Sequence, residues 1–196
     1  MSELIEIVRA QLDAHLETAR LCRDRLDGEI ESTARVLIDC LMSGGKVLAF
    51  GNGGSAAQAD HFVGELLGRF QFTRPPLPAV SLPGSPSLVT CIANDFGYSE
   101  VFARQVEALA TAGDVAVGLT TSGQSENVLR GLAAARSAGI GSIALTGGSE
   151  LNALPADHQI CVPSSSTARI QEAHILIIHI WCTLIDRAFS KAATSP

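Results

Sequence analysis

The chain has 196 residues, of which 46% are hydrophobic and 17% are charged. This length and composition exclude a disordered chain and fit one domain with a sizeable core. The formal net charge of −6 gives no overall field that would attract nucleic acid or an anionic membrane, so we expect neither as a partner.

The five cysteines form no C-x-x-C pair and their number is odd, which is typical of reduced thiols rather than of a disulfide framework. The first residues lack a signal-peptide pattern. No stretch approaches the length of a membrane span, because His174 and His179 interrupt the apolar final helix. We therefore expect a cytoplasmic protein.

Apolar residues at helical spacing predict helix over residues 2–42, with a break near Gly28. Two leading helices have no place inside a doubly wound sheet. We expect this segment, residues 1–43, to cover a sheet edge or to contact another subunit.

Five short apolar segments then alternate with helical patterns, which predicts a parallel sheet covered by helices on both faces. The predicted strands are residues 46–50, 79–82, 114–119, 142–145 and 159–162; the predicted helices are residues 55–70, 86–94, 99–110, 125–138 and 168–189. Ser99 is expected to cap the helix over residues 99–110, and Gly139 to end the helix over residues 125–138. The fold class is therefore α/β, with residues 44–196 forming the α/β core and the final helix of a single domain, 1–196.

Two strands run directly into turns rich in glycine and hydroxyl side chains, at residues 50–55 and 120–125. A turn of this kind presents free backbone N–H groups, the positive end of a helix dipole and hydroxyl donors, all of which favour a phosphate group. Neither turn carries a Walker lysine, so the pattern indicates a small phosphorylated ligand rather than a nucleoside triphosphate.

His61 and Glu65 lie four residues apart, on one face of the helix after the first turn. Such a pair is a half-site for a divalent metal or an acid/base pair, and it is equally typical of an ordinary polar helix face.

The final helix carries two further histidines and a Gln-Glu pair. Glu172 aligns with His179 to within about 20° around the helix, and Gln171 lies about 80° from His179. A histidine in such apolar surroundings is commonly a core residue, but two histidines with Gln171 and Glu172 in one apolar helix favour a functional role.

Asn94 and Asp95 fit either a turn or the ligand edge of the sheet. Arg69 can meet a phosphate or a neighbouring carboxylate. We assign no catalytic role to the cysteines.

Together these motifs resemble the sugar isomerase (SIS) fold, a flavodoxin-like three-layer sandwich, and more specifically the phosphoheptose isomerase family. The matching segments are Gly51-Asn52-Gly53-Gly54-Ser55, His61 with Glu65, Arg69, Arg74-Pro75-Pro76, Asn94-Asp95, Thr121-Ser122-Gly123, Ser125, and Arg169-Ile170-Gln171-Glu172 with His179. The resemblance covers nearly the whole chain, and the pairs His61/Glu65 and Gln171/His179 are its most specific part.

The resemblance implies an isomerase that converts D-sedoheptulose 7-phosphate to D-glycero-D-manno-heptose 7-phosphate, as a homotetramer with sites shared between subunits. It implies that Glu65 and His179 are the acid/base pair. It also implies one zinc per subunit, with His61, Glu65, Gln171 and His179 as ligands. The residues it places around the substrate are Asn52, Gly53, Gly54, Ser55, Glu65, Arg69, Asn94, Asp95, Thr120, Thr121, Ser122, Ser125 and Gln171.

The chain departs from the family pattern at Ala168, where many members have aspartate. Three alternatives remain open from the residues: a non-catalytic SIS protein that binds the bacterial replication initiator, a SIS isomerase of another sugar phosphate, and a sugar-phosphate-sensing domain. The non-catalytic SIS protein lacks the glutamate and histidine that this chain has at Glu65 and His179. The third usually accompanies a DNA-binding module, for which this chain has no room.

Overall fold

A five-stranded parallel sheet forms the centre of the computed structural model, which describes residues 2–148 and 154–193 and side chains up to residue 190. The strands are β1 (Val47–Gly51), β2 (Ala79–Ser81), β3 (Val115–Thr120), β4 (Gly141–Gly147) and β5 (His158–Val162). Their order across the sheet is β2-β1-β3-β4-β5. The predicted domain also includes residues 1, 149–153 and 194–196, which lie outside the described residues.

Six α-helices surround the sheet in the part of the chain that the structure describes. They are α1 (Glu3–Met42), α2 (Gly54–Leu67), α3 (Pro86–Phe96), α4 (Ala103–Leu109), α5 (Glu126–Ser137) and α6 (Thr167–Ala193). The helices α1, α2 and α6 cover one face, and α3, α4 and α5 cover the other. This confirms the predicted three-layer α/β sandwich.

The alternation of side chains along each strand creates two separate hydrophobic cores. In β1, Val47 and Ala49 pack on the α1/α2/α6 side, whereas Leu48 and Phe50 pack on the opposite side. Every residue of β1 and β3 is buried. Their continuous apolar sequences therefore follow from a sheet covered on both faces.

The prediction of two leading helices is wrong, because α1 is one continuous helix of 40 residues. Gly28 lies inside it, where a glycine costs only about 1 kcal/mol relative to alanine. Leu26 before it and Ile30, Ala34 and Leu37 after it are all buried in the same core. Packing of this stripe outweighs the local preference of one glycine.

The predicted cap at Ser99 is also wrong. Residues Tyr98–Glu100 form a single 3₁₀ turn, and α4 begins at Ala103, preceded by Phe102. Val101 and Phe102 are almost fully buried, so the chain turns to bury these two side chains before the helix starts. The end of α5 is as predicted: Gly139 has φ +68°, and the N–H groups of Gly139 and Ile140 donate to Arg136 and Ala135, as in a Schellman motif.

By length and composition alone, α6 is apolar enough to cross a membrane over Thr167–Ser190, which corrects the expectation that no segment reaches that length. The inner face of α6 is part of the core that it shares with α1, α2 and the sheet. The almost fully buried side chains on this face are Ile177, Ile178, Trp181 and Ile185. The core helix of a soluble protein can be as long and as apolar as a membrane-spanning helix.

Candidate active site

The two predicted phosphate-binding turns meet at the carboxyl edge of the sheet. Gly51 at the end of β1 pairs with Leu119 near the end of β3, so the turns that follow these strands are neighbours. Because β1 leads to β2 on one side while β3 lies on the other, the turns flank the point where strand order reverses, where open α/β sheets bind ligands.

The first turn consists of Asn52 and Gly53, followed by Gly54 and Ser55 at the start of α2. Gly53 has φ +54°, a conformation that disfavours side chains with a Cβ. The Ser55 N–H donates to the Asn52 carbonyl (2.9 Å), and Ser55 is buried. This tight turn leaves the first amides of α2 at the sheet edge.

The second turn is closed by hydroxyl contacts. Thr120 Oγ1 and Ser125 Oγ lie 3.0 Å apart, and the Gln124 N–H donates to Ser122 Oγ (3.2 Å). Thr121 and Ser122 line a polar cleft of about 250 Å³ at the strand ends.

Sequence reasoning missed the opposite wall of this cleft, which includes Ser164, Ser165 and Thr167. These residues follow β5 and lead into α6. The sequence did contain a signal for this wall, because residues 164–167 are a third hydroxyl-rich segment that follows a strand. The parallel topology brings this segment to the same edge of the sheet as the two turns.

His61 on α2 contacts both residues predicted to be catalytic, Glu65 on the same helix and His179 on α6. His61 Nε2 lies 2.9 Å from His179 Nε2 and 3.4 Å from Glu65 Oε1. We call these three side chains the imidazole cluster. The Phe70 ring stacks on the His179 ring, with centroids 5.4 Å apart, and thereby limits the orientations of the imidazole. Phe70 was not predicted, and nothing in its sequence context distinguishes it from a core residue.

A buried ion pair holds the end of α2 against α6. Arg74 Nε donates to Asp186 Oδ1 (2.8 Å), and its other nitrogens donate to the carbonyls of Glu65 and Leu66 (2.8 Å each). Asp186 Oδ2 accepts the N–H groups of Gln71 and Phe72.

Burial alone would raise the pKa of the Asp186 carboxyl, but these amide donors and the Arg74 guanidinium outweigh it and hold the pKa below its ordinary value. The carboxylate therefore stays charged and keeps Glu65 and His179 on facing helices. Asp186 was not predicted to take part in the site.

Gln171 lies apart from the imidazole cluster within one chain. Its side chain covers Gly54, where a Cβ would lie 2.5 Å from Gln171 Nε2, and its carbonyl accepts Gln58 Nε2 (2.6 Å). Eight residues of helix separate Gln171 from His179, about 12 Å along the axis. The structure therefore gathers three of the four predicted zinc ligands and leaves the fourth beside the first turn.

The remaining predicted residues lie at the periphery. Asn94 and Asp95 are exposed at the end of α3, where Asn94 Nδ2 donates to Asp95 Oδ1 (2.7 Å). Arg69 is exposed just after α2. Among the described residues no hydrogen bond joins these three to the imidazole cluster.

His174, which shares α6 with His179, is a core residue. It is fully buried, its Nε2 lies 3.0 Å from the Thr146 carbonyl, and burial lowers its pKa to about 4. Burial likewise raises the pKa of the Cys182 thiol to about 12. Neither group is poised for proton transfer at neutral pH.

The donor chemistry of the imidazole cluster fits zinc, since imidazole nitrogens and a carboxylate oxygen are its common ligands. In this structure the two Nε2 atoms hydrogen-bond to each other. Within residues 2–148 and 154–190, no group of three or more His, Cys, Asp or Glu side chains is arranged as a formed metal site.

Comparison with known proteins identifies the family of the chain. The SIS domain family model matches residues 12–147. The phosphoheptose isomerase of Geobacter sp. (strain M21) is 46% identical over 186 residues, covering 94% of this chain and 96% of the relative. The chain belongs to the phosphoheptose isomerase family.

Solved structures of the family have the same fold. A phosphoheptose isomerase from Francisella tularensis superposes with a TM-score of 0.88 at 38% identity, covering 95% of this chain and all of that one. Phosphoheptose isomerase GmhA from Neisseria gonorrhoeae gives a TM-score of 0.85 at 40% identity, covering 94% of this chain and 99% of that chain. The match to these family members thus extends over about 94–95% of the chain, well beyond residues 12–147.

Proposed function

We propose that this protein is an aldose–ketose isomerase that converts D-sedoheptulose 7-phosphate to D-glycero-D-manno-heptose 7-phosphate, the first step of heptose biosynthesis. The observation that carries the proposal is the imidazole cluster, which brings Glu65, His61 and His179 together from two helices. Two strand-end turns suited to a phosphate lie at the adjacent edge of the sheet, and family members match at 46% identity over 94% of the chain.

The reaction moves a proton from C1 to C2 of the sugar, while the hydroxyl proton on O1 is lost and O2 gains one. The intermediate is an enediolate. A single base that faces both carbons can remove the C1 proton and return it to C2, and a proton donor near the oxygens stabilises the developing charge. Glu65 and His179 are suited to these two roles, in either order.

The two turns fix the reacting carbons in front of this pair. The amides of the first turn and the hydroxyls of Thr120, Thr121, Ser122 and Ser125 hold the phosphate, whose position sets that of the carbon chain. The Arg74–Asp186 ion pair and the Phe70 ring hold the facing helices in place. The chain thus supplies binding, orientation and proton transfer from separate elements.

We further propose that His61, Glu65 and His179 hold zinc when it is present, with Gln171 contributed by another copy of the chain. Bound zinc would act as a Lewis acid that polarises a sugar oxygen. The helical distance between Gln171 and His179 supports a ligand set shared between chains.

We propose a cytoplasmic homotetramer. None of the five cysteines is joined in a disulfide, as is usual in a reducing compartment. The first half of α1 exposes a stripe of apolar side chains, with Leu4, Leu12 and Leu16 each more than half accessible. A monomer rarely leaves such a stripe in water, so it supports contact with further copies of the chain.

The first experiment is a turnover assay with sedoheptulose 7-phosphate, ribulose 5-phosphate and fructose 6-phosphate, each with added zinc and with chelator. We expect selective conversion of the seven-carbon sugar, and the chelator arm reports whether metal is required. Preferential conversion of another sugar would replace the substrate. No turnover by a folded protein would favour the non-catalytic binding protein.

A further inference from the structure

Asn52 of the first turn is linked to the second turn through Asn127. Asn52 Nδ2 donates to Asn127 Oδ1, and Asn127 Nδ2 donates back to Asn52 Oδ1, both at 2.8 Å. Asn127 is the second residue of α5, two positions after Ser125, and only 3% of it is exposed. The two amides therefore join the start of α2 to the start of α5 across the point where strand order reverses.

A backbone amide fixes which way round this pair is oriented. The Val128 N–H donates to Asn127 Oδ1 (3.0 Å), and a backbone N–H can only donate. The Asn127 atom at that position must therefore be the oxygen. It follows that the Asn52 atom facing it is Nδ2 and that the other Asn52 terminal atom is Oδ1.

The Tyr98 hydroxyl completes the network by donating to Asn52 Oδ1 (2.9 Å). Both acceptor positions of Oδ1 and one hydrogen of Nδ2 are then used. The second Nδ2 hydrogen has no acceptor among the described residues. Asn52, Gly53 and Tyr98 all line a cleft of about 260 Å³ at the sheet edge.

We propose that Asn127 and Tyr98 are positioning residues that lock the Asn52 amide with its free N–H directed at an oxygen of the bound sugar phosphate. This inference rests on the proposed function, because it takes a sugar phosphate as the ligand. Without Asn127 and Tyr98, Asn52 is free to rotate and presents its oxygen to the ligand as readily as its nitrogen.

The first test compares Tyr98→Phe and Asn127→Leu with the parent enzyme in turnover of sedoheptulose 7-phosphate. We expect KM to rise roughly fivefold for Tyr98→Phe and more for Asn127→Leu, with kcat within twofold, since an interaction made equally in ground and transition states affects KM alone. Gln105→Leu is the matched control, because Gln105 is a buried amide whose one side-chain hydrogen bond within the described part of the chain is to the Val101 carbonyl. Its KM should be unchanged even if its stability falls.

The second test asks whether Tyr98 acts through Asn52. Binding of sedoheptulose 7-phosphate is measured by calorimetry in an inactive Glu65→Gln background, with Tyr98→Phe and Asn52→Ala singly and together. We expect Tyr98→Phe to weaken binding when Asn52 is present and to have no further effect with Asn52→Ala. If Tyr98→Phe weakens binding equally in both, it contacts the ligand itself and the proposal is wrong.

Unchanged KM and Kd in Tyr98→Phe also overturn the proposal, even if Asn127→Leu fails to fold. These results are separable from failure of the proposed function, which appears as absent turnover by the parent enzyme. In that case the binding cycle still tests the network, and a parent that binds no sugar phosphate at all overturns both.

Discussion

At the scale of single residues, the chemistry of the site depends on a few side chains whose surroundings differ sharply. His61 and His179 are accessible and touch each other, whereas His174, one and a half turns earlier on α6, is enclosed by the core. The same residue type thus lies in an accessible cluster in one place and in the packed core in another. The separation follows from which face of α6 each side chain occupies.

We predict that Glu65→Gln and His179→Gln each abolish turnover of sedoheptulose 7-phosphate without changing the assembly. Each variant removes the group that we propose transfers the proton and keeps its approximate size. Turnover is measured beside size-exclusion chromatography with light scattering. Glu107→Gln, an exposed change on α4, is the matched control, and a near-normal rate in either site variant would contradict the assignment.

His174 makes stability dependent on pH. Its pKa is about 4 in the folded protein against 6.5 for an ordinary histidine, so the unfolded chain binds the proton first as pH falls. The contribution of His174 to the free energy of unfolding is complete above pH 6.5. It is lost as the pH falls towards 4, by about 3 kcal/mol in total.

We predict that His174→Gln flattens this dependence, because glutamine keeps a donor for the Thr146 carbonyl and does not titrate. The urea midpoint is measured between pH 4 and 7 for both proteins. His158→Gln is the control and should retain the dependence of the parent. An equal slope in His174→Gln and the parent would show that other groups cause it.

At the scale of elements, the site depends on how α2 and α6 are held side by side. The Arg74–Asp186 pair is almost inaccessible to water, with 3% and 0% of the two side chains exposed. Its bonds reach the carbonyl of Glu65 and the loop that carries Phe70. The helix carrying Glu65 is therefore fastened to the helix carrying His179.

We predict that Asp186→Asn lowers the free energy of unfolding by about 3–5 kcal/mol, because it leaves the Arg74 cation buried without a counter-charge. Urea denaturation measures the loss. Asp24→Asn, which removes an accessible carboxylate paired with Arg20 and Arg23 on α1, should cost far less, because water screens an exposed ion pair. Similar losses in the two variants would contradict the importance of burial.

The continuity of α1 gives a second prediction at this scale. A Cβ on Gly28 would meet nothing within 4 Å, so Gly28→Ala should raise stability by about 0.5–1 kcal/mol through better helix propensity. Gly139→Ala is the contrasting control, because its φ of +68° strains any side chain and should lower stability. Thermal unfolding measures both, and destabilisation by Gly28→Ala would indicate a break in the helix.

At the scale of the whole molecule, one chain does not bring all predicted ligands together. Gln171 lies beside Gly54, while the imidazole cluster lies two helical turns further along the same pair of helices. The exposed apolar stripe of α1 offers a surface for further copies. The proposed site shared between chains accounts for both observations.

We predict that two inactive variants restore turnover when their subunits are mixed. A site shared between chains takes Glu65 from one chain and Gln171 from another. When Glu65→Gln and Gln171→Leu subunits mix, some sites therefore contain both natural residues. The proteins are co-expressed with different tags, and doubly tagged assemblies are purified and assayed. Mixing Glu65→Gln with His61→Leu is the control, since these defects lie in one cluster and should not complement. Equal inactivity of both mixtures would contradict a shared site.

Much of this protein could be predicted from its sequence, because the relevant signals are local. The apolar runs of β1 and β3 indicate strands buried on both faces. The glycine and hydroxyl residues that follow them indicate anion-binding turns, and strands of one parallel sheet bring those turns to the same edge. The motifs around His61 and His179 resembled the family that the comparisons identified.

Other features depended on contacts between residues distant in sequence, and only the tertiary structure decided them. Gly28 does not break α1, because packing against α6 outweighs its local preference, and Ser99 begins no helix, because Val101 and Phe102 are buried first. His174 and His179 have similar sequence surroundings and opposite environments. The partners of Asn52 and Asp186 are Asn127 and Arg74, 75 and 112 residues away. Local composition sets the elements, whereas burial and long-range hydrogen bonds decide what each side chain does.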